Sequence, residues 1–328
     1  MNNNLKKLLT EYEQERLKNI KKLDLRKKEL YSKFPRLEEI EKELNLISIK
    51  LAKSKLFPET IKNNNLLKNE QINLKKEREN ILKEDGKDLY YLTVNYKCNF
   101  CKDTGYITNN FKTEMCNCLK QKLFDIEYNQ ANMGNIDKHT FENFNLNLFS
   151  DKVNVEKYGL NISPRDNIKN IINSSIKFVE NIDNPTGKNL LFSGSTGLGK
   201  TYISNAIVTE CLNKGYTVLY QTAPVMLDTL ISKIFKNDTA FSENLLTVDL
   251  LVIDDLGTET MNSMKFTELY KIINTRLLNQ NGKVTKTIIS TNLDLQGLYN
   301  TYDERLVSRF IGHYDIYRFF GDDIRFKI

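Results

Sequence analysis

The fold class follows from one segment: Asn189-Leu190-Leu191-Phe192-Ser193-Gly194-Ser195-Thr196-Gly197-Leu198-Gly199-Lys200-Thr201-Tyr202. The apolar run 190–192 is typical of a short buried strand, 194–199 of a glycine-rich loop, and the residues from 200 onward of a helix with one apolar face. The spacing Gly-x4-Gly-Lys-Thr is that of a phosphate-binding P-loop. Glycine is needed because such a loop adopts positive φ and leaves no room for side chains around the phosphates. The segment therefore predicts an α/β fold that binds a nucleoside triphosphate.

The polar residues of this loop have predicted roles in binding ATP and Mg²⁺. The amino end of the helix attracts phosphate, and Lys200 is expected to reach the β- and γ-phosphates. Thr201 supplies a hard oxygen ligand for magnesium. The predicted nucleotide-binding residues are Gly194, Ser195, Thr196, Gly197, Leu198, Gly199, Lys200 and Thr201.

Two later apolar runs, each typical of a buried strand, end in polar side chains. The first ends in Asp254-Asp255 and the second in Asn292. Ligands of open α/β sheets bind at this edge, so we expect Asp254 near the magnesium shell and Asp255 oriented toward the attacking water. Glu259 is a second candidate to assist hydrolysis. Asn292 is placed to hydrogen-bond the water or the γ-phosphate.

A short amphipathic helix over 302–310 carries Arg305 and Arg309 on one face. Neither has an obvious acid partner across the turn, so both are candidates to reach a phosphate. In a ring of subunits, that phosphate belongs to the neighbouring copy. The pattern therefore favours self-association through the ATP-binding domain.

Four of the five cysteines form two close pairs, Cys98-x2-Cys101 and Cys116-x-Cys118. In an intracellular chain, such pairs favour a closed tetrahedral zinc site over disulfides. The predicted role of this zinc is structural, because four cysteines leave no open coordination position. Reduced structural cysteines are the alternative.

The segment 1–88 predicts helices, because glycine is nearly absent and leucine and isoleucine recur at three- and four-residue steps. It holds 22 Lys and Arg against 16 Asp and Glu, which accounts for the whole formal net charge of +6. A solvated helix surface explains this mild excess better than nucleic-acid binding does. A helical hairpin or short coiled coil follows, and it could be a partner-binding module or a purely structural bundle.

No apolar run approaches the roughly 18 residues that cross a bilayer, and the polar start lacks the apolar core of a signal peptide. We therefore expect no membrane association and a cytoplasmic location.

Taken together, the motifs resemble an AAA+ ATPase and, more narrowly, the bacterial replicative helicase loaders of the DnaC/DnaI type. The resemblance covers nearly the whole chain. It rests on the segments YKCNFCKDTGY, CNCLK, TFENFNL, SPRDNI, LLFSGSTGLGKTYISNAI, LLVIDDLGTE, LYKIINTRL, TIISTNL, DERLVSRF and GDDIR.

The resemblance implies a fold, a function and residue roles. It implies an AAA+ P-loop core with a parallel sheet and no full lid domain, since 36 residues follow Asn292. The implied function is to grip the hexameric replicative helicase through the N-terminal region and to deliver it to single-stranded DNA, using ATP. Arg305 or Arg309 would be the arginine finger that acts in trans, and Arg325 the sensor arginine. Lys233, Lys236 and Lys286 are candidate DNA contacts.

The expected organisation is a helicase-binding helical segment over 1–88, a zinc module over 89–125, a linker over 126–164 and the AAA+ domain over 165–328. Two alternative functions stay open. One is a transposition-accessory ATPase of the IstB type, whose AAA+ half is similar but lacks this zinc module. The other is a nucleotide-gated scaffold with little turnover, because Asp255 is shorter than the glutamate of many related ATPases.

Overall fold

A computed structural model describes residues 3–56, 64–109, 112–129, 138–278 and 283–327. The chain divides into two compact units, Met1–Cys116 and Asn117–Ile328. The finer division into four segments stays a prediction.

The first unit is built on three long helices, α1 (Asn3–Lys33), α2 (Pro35–Leu56) and α3 (Asn64–Glu84). Apolar side chains at helical spacing bury one stripe of each helix, and Leu37, Ile40 and Leu82 are almost fully enclosed. Arg36 and Glu77 form an ion pair at 2.9 Å between α2 and α3. The predicted helical segment is thus present, with two helices that pack as a hairpin. After it comes a small antiparallel pair, β1 (Tyr106–Asn109) and β2 (Lys112–Met115).

The second unit contains a five-stranded parallel sheet. Its strands are β3 (Asn189–Ser193), β4 (Val218–Thr222), β5 (Leu250–Leu256), β6 (Lys286–Thr291) and β7 (Tyr314–Arg318), in the spatial order β4-β5-β6-β3-β7. Strands buried on both faces are continuously apolar, and β3 is buried at all five positions. β6 lies between β3 and β5, which places the end of the Asn292 strand between the P-loop and the Asp254 strand.

Helices cover both faces of this sheet. The segments are α4 (Asn117–Phe124), α5 (Val155–Tyr158), α6 (Pro164–Glu180), α7 (Lys200–Asn213), α8 (Ala223–Phe235), α9 (Ala240–Thr247), α10 (Ser263–Leu277), α11 (Leu295–Thr301) and α12 (Glu304–His313). One core joins α6 and α7 to the sheet around Phe192 and Val252. On the opposite face, helices α8, α9, α10, α11 and α12 pack against the sheet in a second core around Leu251 and Ile289.

The edge strand β4 is covered by side-chain amides. Gln121 on α4 accepts a hydrogen bond from the Val218 N–H at 2.7 Å. Asn129, in a π-helical turn over Asp125–Asn129, accepts one from the Tyr220 N–H at 3.0 Å. These bonds satisfy strand groups that would otherwise lack partners. The sequence did not suggest this arrangement, and it did not suggest α9 either.

The predicted α/β fold class is confirmed by the parallel sheet and by the helices that precede it. After β7, the described chain holds a single 3-10 turn, Ile324–Lys327. Within the described ranges, no helix combines the length and the apolar character that crossing a bilayer requires.

Candidate nucleotide-binding site

The P-loop joins β3 to α7 and has three glycines at positive φ. At Gly194, φ is +147°, and a Cβ would lie 2.2 Å from the carbonyl oxygen of Phe319. At Gly197, φ is +72°, and a Cβ would collide with the carboxylate of Asp323. Gly194 therefore requires glycine for conformation and for space, because the clash is with backbone. At Gly197 the positive φ favours glycine, since the Asp323 side chain can shift.

Lys200 is buried, and its ammonium lies inside the loop. It donates to the carbonyl oxygens of Gly194 and Ser195 at 2.6 and 2.8 Å, and to Oδ1 of Asn292 at 2.8 Å. Burial lowers the pKa of Lys200, while Asp255 and Asp254 oppose that change. The lysine and Asn292, 92 positions apart, thus meet at the edge of the sheet where phosphate is expected.

Asp254 is 4% exposed and is held by four donors. Oδ2 accepts from the hydroxyls of Tyr220 and Thr201 at 2.5 and 3.2 Å. Oδ1 accepts from the Ser290 hydroxyl and from the Asp255 N–H. The two predicted magnesium ligands, Thr201 and Asp254, are therefore in direct contact. Tyr220 and Ser290 were missed, although a polar side chain inside an otherwise apolar strand is a signal for such partners.

Asp255 is half-buried and has a φ of +54°, a left-handed conformation that is uncommon for a non-glycine residue. Burial and the adjacent Asp254 raise the pKa of Asp255, and Lys200 lowers it. Backbone outliers of this kind cluster at functional sites, where the surrounding fold holds a side chain in a required direction. The strand end thus presents two carboxylates in different environments.

The C-terminal segment reaches the P-loop. The Ile324 N–H donates to the Gly197 carbonyl at 2.9 Å. Arg325 donates to Oδ1 of Asp323 at 3.0 Å and to the Thr196 hydroxyl at 3.3 Å. Because Asp323 lies against the loop at Gly197, this segment places one acidic side chain, Asp323, and one basic side chain, Arg325, beside the phosphate-binding loop.

A cavity of about 760 Å³ opens beside the P-loop. Its lining includes Tyr158, Gly194, Leu198, Asn292, Arg318 and Phe320. This volume lies in the range of small-molecule sites. The loop is therefore accessible to a ligand of nucleotide size.

The α12 arginines are not part of this cluster. Arg305 pairs with Asp303 at 3.0 Å, so the expectation that it lacks an acid partner is wrong; the partner is the N-cap residue of its own helix. Arg309 donates to Oδ1 of Asn274 at 3.3 Å and lies 5.3 Å from the centroid of the Tyr270 ring. In the described part of the chain, the hydrogen bonds of both arginines go to α10, to α12 and to its N-cap, and none goes to the P-loop.

The sulfur atoms of Cys98, Cys101, Cys116 and Cys118 all lie within 4.8 Å of one another. None is in a disulfide, and Sγ of Cys98 lies 3.8 Å from Sγ of Cys116. Sulfurs placed tetrahedrally around zinc at about 2.3 Å lie roughly 3.8 Å apart, so the cluster fits that ion. Asp103 stabilises the turn that holds Cys98 and Cys101, because its carboxylate accepts hydrogen bonds from the Lys97 and Cys98 N–H groups at 3.0 and 2.8 Å.

One candidate DNA contact does not fit. Lys286 is 3% exposed, and its ammonium donates to the carbonyl oxygens of Asn184 and Gly187 inside the fold. Lys233 pairs with Asp238 at 2.6 Å, and Lys236 is exposed. Sequence alone could not separate the buried lysine from the exposed one, because both are single charges beside apolar runs.

A glycine-rich phosphate loop, an internal lysine and two adjacent carboxylates on β5 define a P-loop ATPase. The chain belongs to the family of IstB-like ATP binding proteins, whose family model matches residues 121–326. The predictions of an ATP-binding protein and of this enzyme class are thereby confirmed. The individual catalytic roles stay predictions.

Several curated proteins are similar to part of the chain. The replicative helicase loader DnaC of Escherichia coli K12 is 28% identical over 144 residues, which are 43% of this chain and 56% of that protein. An ATP-binding protein of insertion sequence IS1162 from Pseudomonas fluorescens is 30% identical over 106 residues, which are 31% and 45%. The chain thus spans about half the length of the curated relatives it matches.

Solved structures that align with part of the chain include the DnaC helicase loader, at 25% identity and a TM-score of 0.43, over 55% of this chain and 98% of that one. AMPPCP-bound DnaA from Aquifex aeolicus is 25% identical, with a TM-score of 0.45, over 58% and 53%. The resemblance inferred from the motifs agrees with the family model and with the DnaC relative among the curated proteins.

Proposed function

We propose that this protein is an ATP-dependent loader of the replicative DNA helicase. It binds the hexameric helicase through its N-terminal region and delivers it to single-stranded DNA when replication begins, in the cytoplasm. The observation that carries the proposal is the joining of a built ATP site to a separate helical unit, in a chain whose ATPase part is similar to replicative helicase loaders.

In this proposal, the P-loop N–H groups and Lys200 bind the phosphates of ATP. Lys200 must leave the carbonyl oxygens that now hold it, and Asn292 then shares the γ-phosphate with it. Thr201 and Asp254 would hold Mg²⁺, which neutralises phosphate charge during transfer. Asp255 orients the attacking water, and its left-handed backbone fixes the direction of its carboxylate.

The helical unit supplies the helicase contact. Leu25 on α1, Leu46 on α2 and Leu66 on α3 are exposed by 66, 58 and 62%. In this proposal, these three exposed leucines, one on each helix, are the candidate contacts with the helicase. The proposed zinc in the four-cysteine site would hold the chain around β1 and β2 in place, with a structural role.

The α12 arginines complete the ATP site of a neighbouring copy. Arg309 is the stronger candidate, because Arg305 pairs with the acid Asp303, whereas Arg309 contacts an amide and an aromatic ring. Arg309→Ala should keep ATP binding but lower turnover by on the order of a thousandfold. Lys271→Ala, which removes an exposed charge from α10, is the control. Equal turnover in the two variants would contradict the role of Arg309.

The helicase proposal is tested with the full chain, the replicative helicase of the same cell and single-stranded DNA. The parent protein should form a complex with the helicase and place it on the DNA in an ATP-dependent way. Lys200→Ala should still form the complex but fail to place the helicase on the DNA, because it lacks the side chain that binds the phosphates of ATP. Leu25→Glu should weaken the complex and leave ATP binding unchanged. A parent protein that does not bind the helicase would rule the proposal out.

A transposition-accessory ATPase is the second candidate, favoured by the family model and by the insertion-sequence relative. It predicts ATP-dependent assembly on duplex DNA without helicase binding. The two candidates are separated by adding helicase and duplex DNA in the same experiment. A scaffold without turnover is excluded if ATP hydrolysis is measurable and is lost in Asp255→Asn.

A further inference from the structure

Glu259 does not reach into the ATP site as a free carboxylate. Its Oε2 accepts a hydrogen bond from the Gly257 N–H at 2.9 Å. Its Oε1 accepts a short hydrogen bond from the Tyr302 hydroxyl. Both oxygens are therefore engaged, which argues against a direct role for Glu259 in activating water.

These bonds fix the loop that follows Asp255. The Thr258 hydroxyl donates to the Asp255 carbonyl at 2.8 Å, which closes a tight turn. At Gly257, φ is +101°, and a Cβ would lie 2.7 Å from the Leu293 side chain, directly after Asn292. Hydrogen bonds and a close steric contact therefore connect the loop that carries Glu259 to the Asp255 backbone.

Tyr302 lies at the junction between α11 and α12. Its N–H caps α11 by donating to the Leu298 carbonyl at 2.8 Å, and the next residue, Asp303, is the N-cap of α12. The ring is 4% exposed and packs in the core that includes Leu256 and Leu306. Burial, followed by the Glu259 contact, raises the pKa of Tyr302, so the hydroxyl remains a donor at neutral pH.

We infer that Glu259 and Tyr302 are positioning residues that couple the α12 arginines to Asp255. When α12 engages the phosphate of a neighbouring copy, the shift at its amino end is carried by Tyr302 to Glu259 and from there to the loop that aims Asp255. The inference rests on the proposed ATPase cycle, with Arg309 acting in trans. It adds a link through which assembly of the ring sets the rate of hydrolysis.

The test compares Tyr302→Phe, which removes the hydroxyl and keeps the ring, with Tyr299→Phe on α11, where the side chain is 42% exposed. The full chain is assayed for ATP affinity, kcat, ATP-dependent self-association by sedimentation, and thermal unfolding. We expect Tyr302→Phe to keep its ATP affinity within about twofold and to lose kcat by about tenfold, the scale of one hydrogen bond to a charged group. Tyr299→Phe should match the parent protein, and Glu259→Gln, which keeps an acceptor, should fall between them.

A double-mutant cycle separates coupling from simple damage. Adding Tyr302→Phe to Arg309→Ala should lower kcat no further, because the link has nothing left to transmit. Independent, multiplicative losses would overturn the inference, as would a Tyr302→Phe variant with the kcat of the Tyr299→Phe control. A loss of ATP affinity with unchanged kcat would show a merely structural role and would overturn it too.

Failure of the proposed function has a different signature. If the parent protein does not hydrolyse ATP, the proposed ATPase cycle is contradicted and the link falls with it. If the parent protein hydrolyses ATP and Tyr302→Phe keeps both its self-association and its full kcat, the link alone is overturned.

Discussion

The space around Gly194 leads to a sharp prediction about Gly194→Ala. Two costs add at this position. A residue with a Cβ at positive φ is destabilised by about 1–2 kcal/mol. The Cβ would also lie 2.2 Å from the Phe319 carbonyl oxygen, and that oxygen belongs to backbone whose N–H is bonded to Ser193. Relieving such an overlap costs about 1–3 kcal/mol more.

Gly215→Ala is the matched control, because Gly215 has a φ of +85° and nothing lies within 4 Å of the position that its Cβ would occupy. It should lose only the conformational part, at the lower end of that range, about 1 kcal/mol, because its φ is close to the left-handed helical region that other residues can adopt. For a domain of this size, each kcal/mol lowers Tm by about 2–4 °C. We therefore expect a fall of roughly 2–4 °C for Gly215→Ala and of roughly 6–12 °C for Gly194→Ala, if the latter costs about 3 kcal/mol.

The assay is thermal unfolding of the full chain, with nucleotide affinity measured in parallel. Gly194→Ala should also lose ATP binding, because the Gly194 carbonyl and N–H shape the loop around Lys200, whereas Gly215→Ala should bind ATP normally. Equal Tm values and equal affinities for the two variants would refute the steric argument.

Three further predictions concern charge and metal. Since burial and Asp254 raise the pKa of Asp255, the folded state holds that proton more tightly than the unfolded chain, and stability is lost as pH rises through the raised pKa. Asp255→Asn should therefore abolish turnover yet raise Tm at pH 8, with a smaller gain at pH 4 in parallel melts. Arg276 is 2% exposed and donates to three carbonyl oxygens and to the Thr287 hydroxyl. Burial lowers its pKa to about 10. Arg276→Ala should therefore lower the free energy of unfolding by about 3 kcal/mol or more, measured by urea unfolding. Chelation of zinc, or Cys116→Ser, should lower the Tm of the region around 89–124, seen by calorimetry with metal analysis, and leave ATP affinity unchanged.

The class of fold and the core of the site could be predicted from local patterns in the chain. A P-loop needs glycine at fixed spacing because its backbone approaches the phosphates, and buried parallel strands need continuous apolar runs, so both leave a local signature. The positions of Lys200, Asp254 and Asn292 at one edge followed from the rule that parallel strands end together. The cysteine pairs were equally readable, because a metal site requires several ligands at short spacing.

The partners of individual side chains, in contrast, are known only from the folded structure. Arg305 is paired with Asp303, Lys286 is buried, and Glu259 is bound to Tyr302, 43 positions away. Tyr220 and Ser290 surround Asp254 from two neighbouring strands. Such contacts mostly join residues distant in the chain, and their free energies depend on burial and orientation, which no local pattern records. The phosphate-binding loop could therefore be predicted from the sequence, whereas the side-chain contacts that connect it to the rest of the molecule are known only from the folded structure.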